Sequence, residues 1–335
     1  MLLNSWSIAL IICGLIVLFL MGFAARSAVR VLLFWDADSD SNRQIRLENE
    51  IWLTSTLVEY ALAIQIISLI VFVLAADFYS HSITGAMCAT GSLLANDFGV
   101  PALMVKIGAV FFYGFWIMLH QLDIRSEKYP LVRIKYLYLL LLLPLIAVDF
   151  FLEIYYIKKL EPDIITSCCA VVFADSAGGG ANLLGGFSHG LSLLGFYGSA
   201  GLLAIVGSLL LLKWRAWMVF LFSCGWLWFF FLALTVITTT FSSYIYAMPF
   251  HKCPFCILKS EYHYIGFLIY FALFTGTFFG LGGAVLEVFR QVKGLSDIVP
   301  GFQQAALKIS LFFLLLFLLL SSYHYLRYLI IGGEV

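Results

Sequence analysis

The segment His251-Lys252-Cys253-Pro254-Phe255-Cys256 carries a Cys-x-x-Cys. That spacing puts two sulfurs on adjacent turns, close enough to close a small disulfide ring or to clamp one metal ion. Neighbouring positive charge or a helix N-terminus then favours the thiolate. Lys252, His251 and the start of the apolar helix that follows all offer such stabilisation. A second group is Cys168-Cys169. Adjacent cysteines bond to each other only through a strained small ring, so they more often serve separate partners or present paired thiolates to a soft cation. The third is Cys88, in Gly85-Ala86-Met87-Cys88-Ala89-Thr90-Gly91, with a glycine on either side. Cys13 and Cys224 sit inside apolar runs, where a thiol behaves as a small hydrophobe.

Ionisable residues inside apolar runs form a separate set. At 1.5 Å per residue, Lys106 is ~9 Å and Asp149 ~12 Å below the outer ends of their helices, which allows an interhelical pair, with Glu153 one turn from Asp149. A proton relay, a ligand counter-ion and a structural pair are all open to it. Glu59 has no obvious partner in sequence and reads as a proton-handling group. Two apparent motifs fail. The acidic run Asp36, Asp38, Asp40, Asn42 has Ser41 and Leu47 where a calcium loop needs glycine and glutamate, so it reads as a solvated linker after an interfacial segment over 26–35. The glycines at 178–180 lack a Walker lysine and a preceding strand, and form no phosphate cradle.

The elements that must position these groups are membrane helices. Of 335 residues, 63% are hydrophobic and 11% charged, against roughly 45–50% and 25% in a soluble domain. Net charge is zero, which leaves no basic excess for nucleic acid. Apolar runs long enough to cross ~30 Å of hydrocarbon predict an all-α bundle of eight helices near 6–24, 51–76, 100–120, 136–157, 190–212, 216–240, 263–287 and 306–330. No intervening stretch is long enough for a soluble core, so the chain reads as a single transmembrane domain over 1–335. Small residues at Gly195, Ser199, Gly276 and Gly280 recur at helical spacing and would let neighbouring backbones approach. The aromatic residues, 17% of the chain, read mostly as lipid-facing or interfacial belt, as at Tyr244, Tyr246, Tyr262 and Tyr264.

The first run lacks Lys or Arg before it and has Arg26 and Arg30 after it, which predicts a retained helix with its N-terminus outside. The loops then inside hold twelve basic residues, Lys135 among them, against five outside, in keeping with the positive-inside rule. Both termini are expected outside, in a multi-pass cell-membrane protein, the inner membrane if the cell is Gram-negative. On this topology Cys88, Cys168, Cys169, Cys253 and Cys256 share the outer face with His81, His189, His251, His263 and His324, where the compartment is oxidising.

Cys253-Pro254-Phe255-Cys256-Ile257-Leu258-Lys259, followed by Tyr262 and Tyr264 at the head of an apolar helix, resembles the Cys-Pro-x-Cys motif of the DsbB family of membrane disulfide oxidoreductases. The resemblance covers some fifteen residues; where that family commonly carries Gln-Arg, this chain has Lys259-Ser260. It implies that Cys253 and Cys256 are a quinone-facing pair, with Lys259 and Tyr262 beside the quinone. Cys88 with Cys168 or Cys169 would be the shuttle pair by analogy of role. The first expectation is therefore thiol–disulfide exchange with an extracytoplasmic thiol protein. A second is binding or transport of a Cu(I)-like ion by Cys253, Cys256, Cys168, Cys169, Cys88 and His251, with Met248 a further thioether and a metal carrier as partner. A third is a structural or assembly subunit of a membrane complex, braced by outer disulfides.

Overall fold

Helix α1 (Ser5–Phe34) starts where the Asn4 side chain accepts a hydrogen bond from the Trp6 amide, at 3.0 Å. Helix α2 (Asn42–Ser80) starts in the same way, with Ser41 accepting from the Gln44 amide at 3.3 Å. Each cap satisfies an amide that the helix itself cannot pair. The computed structural model describes residues 2–36, 41–126, 129–161, 189–248 and 251–332. After α2 come a short α3 (Ala89–Leu93), α4 (Gly99–Asp123), α5 (Val132–Lys158), α6 (His189–Leu212) and α7 (Ala216–Val236). A π-helical turn (Ile237–Phe241), α8 (Ser242–Tyr246), two 3₁₀ turns (Cys256–Leu258 and Ser260–Tyr262), α9 (Ile265–Val288) and α10 (Val299–Ile331) complete the order. Among the described residues, eight helical stretches are long and apolar enough to cross a membrane, with α7 continuing through α8 as one of them. The protein is a multi-pass helical membrane protein.

Several helices outrun their apolar cores. At 1.5 Å per residue the 39 residues of α2 extend ~58 Å, well beyond ~30 Å of hydrocarbon. Its polar first turns therefore lie outside the membrane. The 26–35 stretch does not form a segment separate from the first helix. It continues α1 to Phe34, because Ser27 Oγ and Arg30 Nη1 both reach the Glu50 carboxylate of α2, at 2.6 and 3.1 Å. Positions 37–40 of the acidic run lie outside the described residues.

The chain divides into two compact units. The first comprises Met1–Thr166 with Arg290–Val299, the second Ser167–Phe289 with Pro300–Val335. In the first, α1, α2, α4 and α5 form a closed ring of neighbours: α1 packs on α2 and α5, and α4 packs on the same two. The stripe Val17, Met21, Ala24, Ala28, Val31 of α1 meets Val58, Ala61 and Leu62 of α2 and Tyr136, Leu139 and Ile146 of α5. The three-and-four spacing keeps that stripe on one face, and its alanines let the helices close up. Gly294, at φ 87°, takes a left-handed turn open to glycine, and its missing Cβ leaves room for Ser126 Oγ.

In the second unit, α7 packs on α6 and α9. A Cβ at Gly280 would fall within the Trp226 indole, and one at Gly276 would come 2.7 Å from its Cη2. The Gly276 and Gly280 pair thus seats a fully buried tryptophan. Ser223 Oγ donates to the Gly280 carbonyl and Ser310 Oγ of α10 to that of Gly276. Phe317 of α10 meets Phe196 and Phe229 edge-on, and Gly195 faces Leu232 at 3.7 Å.

Candidate functional site

The Cys-x-x-Cys loop joins α8 to α9 within the second unit. The run Thr238-Thr239-Thr240 precedes it. β-Branched residues crowd a tight turn, and here Thr238 and Thr239 donate to the carbonyls of Leu234 and Thr235 at 2.8 and 2.9 Å. The helix widens into its π turn at this point, a feature common beside functional sites. Helix α8 ends on Ala247 in the left-handed conformation.

The Cys253 and Cys256 sulfurs lie within 4.8 Å of each other. Cys253 is fully buried and Cys256 is 9% exposed, so Cys256 is the member nearer the surface. Two phenols clamp the loop backbone: Tyr246 of α8 donates to the Cys253 carbonyl and Tyr270 of α9 to the Pro254 carbonyl, the latter at 2.8 Å. The Tyr246 ring also contacts the rings of His251 and Tyr262, at centroid separations of 4.6 and 4.7 Å. Tyr246 is therefore a buried clamp and not a belt residue, a correction to the sequence expectation. Tyr264 is exposed, whereas Tyr244 packs against Tyr325 and Tyr328 of α10.

The long helix begins after the cysteines, close to the expected start near 263. Cys256 opens a 3₁₀ turn, and α9 starts only at Ile265, after Lys259 has accepted from the amides of Tyr262 and Tyr264 at 3.2 Å. Gly266 brings the two elements together: a Cβ there would stand 2.8 Å from the Ile257 carbonyl oxygen. The glycine lets the cysteine turn lie directly on the first turn of α9. Partial burial, with the neighbouring Cys256 and Glu261, pushes the Tyr262 hydroxyl up from its ordinary range. Lys259 acts on it in the opposite direction. His263 and Tyr264 both take left-handed backbone conformations between that turn and α9.

Cys88 belongs to the first unit. It is buried and immediately precedes α3, its carbonyl accepting from the Gly91 amide at 2.9 Å. Cys168 and Cys169 lie outside the described residues, as does the side chain of His189. Cys13 is partly buried and Cys224 exposed.

The first unit also places the intramembrane charges. Lys106 Nζ of α4 reaches Asp149 Oδ1 at 3.2 Å, Glu153 Oε2 at 2.8 Å and Ser68 Oγ of α2 at 3.2 Å. The Lys106–Asp149 pair expected from depth is present, and Glu153 completes a triad with every member under 6% exposed. Toward the other end of α4, Lys135 Nζ sits 2.9 Å from Asp123 Oδ2 and 3.2 Å from His120 Nδ1. Lysine can only donate here, so Nδ1 accepts and the ring carries its proton on Nε2, which faces Glu59 Oε2 at 3.7 Å. Gln121 donates to the other Glu59 oxygen at 2.6 Å. Glu59, read as lacking a partner, thus has two. Lys135, counted among the basic residues of an inner loop, lies within α5 and is buried. His120 and Lys135 line a cavity of about 220 Å³ with Trp35, Trp52 and Ser55.

No signal in the sequence marked Tyr270 or Gly266, since a tyrosine and a glycine near a helix end are commonplace; Asp123 is paired with Lys135 only by the α4–α5 turn. Neither a protein-family model, nor a curated protein, nor a solved structure matches the chain.

Proposed function

We propose that this protein is a membrane thiol–disulfide oxidoreductase whose redox pair is Cys253 and Cys256. The observation that carries the reading is the pair itself: two buried sulfurs within 4.8 Å, on a loop held by the Tyr246 and Tyr270 hydroxyls. A fixed pair of this kind can close and open a disulfide with little movement of the chain. In the oxidising direction, a thiolate of a partner protein attacks the Sγ of Cys256, the more exposed sulfur, and releases Cys253 as thiolate. The partner's second thiolate then attacks the mixed disulfide, forms the partner's own disulfide and leaves Cys256 reduced. Two electrons thereby enter the pair. Their outlet is a membrane quinone, which takes two electrons and two protons to become quinol as the Cys253–Cys256 disulfide re-forms. Lys259 and Tyr262, beside the pair, would bind the quinone oxygens, as the DsbB resemblance implies. The charge bias of the loops supports placing both termini and this loop outside, facing an extracytoplasmic thiol protein.

The test is differential alkylation of the full-length protein in its membrane with a mass-tagged maleimide, before and after mild reduction. Cys253 and Cys256 are expected to be tagged only after reduction, and Cys253→Ser to trap a mixed disulfide at Cys256. Unchanged tagging of both cysteines would sink the reading. The same sulfur separation favours one other function, capture of a Cu(I)-like ion by the paired thiolates with His251 nearby. Stoichiometric metal in the purified reduced protein, lost in Cys253→Ser, would assign that role instead. A disulfide that resists glutathione-like potentials would mark a structural brace.

A further inference from the structure

The first unit contains a charge imbalance in its interior. Lys106 is one cation, and it faces two carboxylates, Asp149 and Glu153, at 3.2 and 2.8 Å. Among the described residues, no other cation pairs with either carboxylate. With all three ionised, one negative charge would stand uncompensated in a low-dielectric core, a state that buried charges avoid by taking up a proton or a counter-ion.

A second observation points to the proton. The Tyr113 hydroxyl of α4 is fully buried, has no hydrogen-bond partner, and lies within electrostatic reach of Asp149. Asp149 Oδ1 is likewise buried, close to Lys106 but outside hydrogen-bond geometry with any group. Two oxygens are thus left unsatisfied beside the surplus charge, which a proton on either carboxyl removes. The other groups around the triad include the Phe72 ring, 5.6 Å from Lys106 Nζ, and several hydroxyls. Ser68 of α2 accepts from Lys106, and Tyr79 of α2 is within electrostatic reach of Glu153. Tyr79 also shares a 2.7 Å hydrogen bond with Ser7 of α1, near that helix's first turn. Tyr156 of α5 meets Ser92 of α3 at 3.1 Å. These tyrosine and serine pairs lie between the triad and the α1 N-terminal end. Toward the opposite end, the next ionisable group on this face of α4 after Tyr113 is His120, ~10 Å further along the helix, in the group with Lys135, Asp123 and Glu59.

We infer that Lys106, Asp149, Glu153 and Tyr113 form an intramembrane proton-binding site, which holds one exchangeable proton on a carboxyl at neutral pH. This role is independent of the cysteine chemistry and lies in a different unit.

The experiment is infrared difference spectroscopy of the full-length protein in lipid, titrated in pH. Side-chain ¹³C labelling of Asp or of Glu assigns the carboxyl band in the unaltered sequence. A protonated-carboxyl C=O band is expected at neutral pH, shifted by one of the two labels, and abolished in Asp149→Asn or Glu153→Gln according to which carries the proton. No such band at neutral pH would show both carboxylates ionised and overturn the inference. So would a band that survives both variants. A band that disappears when sodium chloride replaces choline chloride at constant pH would assign the site to a metal cation and overturn it as well.

Discussion

Replacing Lys106 by methionine isolates the charge of the triad, because methionine keeps most of the side-chain volume. The structure sets the scale. At an effective dielectric of 20, Lys106 attracts whichever carboxylate is ionised by about 6 kcal/mol at 2.8 Å or about 5 kcal/mol at 3.2 Å. Desolvation of the three groups offsets most of that, and removing one partner of a buried ion pair costs about 3–5 kcal/mol. Lys106 is 1% exposed, so solvent screening provides no relief. Lys106→Met is expected to lower stability by about 3–5 kcal/mol, read as a shift of the unfolding midpoint in mixed micelles with rising denaturing detergent. The neutral triple variant, Lys106→Met with Asp149→Asn and Glu153→Gln, removes the ionisable carboxyls along with the lysine. It is expected to recover most of that loss. An equal deficit in the single and triple variants would assign the effect to packing and refute the electrostatic account; a single variant within about 0.5 kcal/mol of the parent would refute it more directly.

Two further perturbations test the second unit. Gly280→Ala places a methyl inside the Trp226 indole, so overpacking should cost about 1–3 kcal/mol. Gly283→Ala meets only Val219 Cγ1 at 3.5 Å and should stay within about 0.5 kcal/mol of the parent by the same unfolding measurement. Tyr270→Phe removes the hydrogen bond to the Pro254 carbonyl, a loss of about 1 kcal/mol. Maleimide should then reach reduced Cys253 several-fold faster than in the parent, while an unchanged rate would show that this phenol does not hold the loop closed.

The spans were legible because a run of apolar residues has few alternatives to crossing a bilayer, and their count needs only the length of each run. Helix ends were not. Arg26 and Arg30 mark the end of an apolar run, yet α1 continues past them because Glu50, on another helix, receives Ser27 and Arg30. The Lys106–Asp149 pair could be read from depth alone, since adjacent antiparallel helices bring equal depths together. Glu59 could not, for its partners His120 and Gln121 depend on the rotation of α4 about its own axis.

The Cys-x-x-Cys was visible as a motif, and its chemistry follows from spacing. Its surroundings were not visible. Tyr246 and Tyr262 are alike in sequence as tyrosines near an apolar boundary, and only packing makes the first a buried clamp while the second remains partly open. Composition and local spacing thus determined the helices, their number and the reactive residue types, because hydrophobic transfer and covalent geometry act on neighbours along the chain. The tertiary structure alone decided which phenols hold the cysteine loop and which carboxylates share Lys106. Burial and charge pairing depend on which face of each helix meets its neighbour, and a nearly uniformly apolar helix does not encode that face in its own sequence.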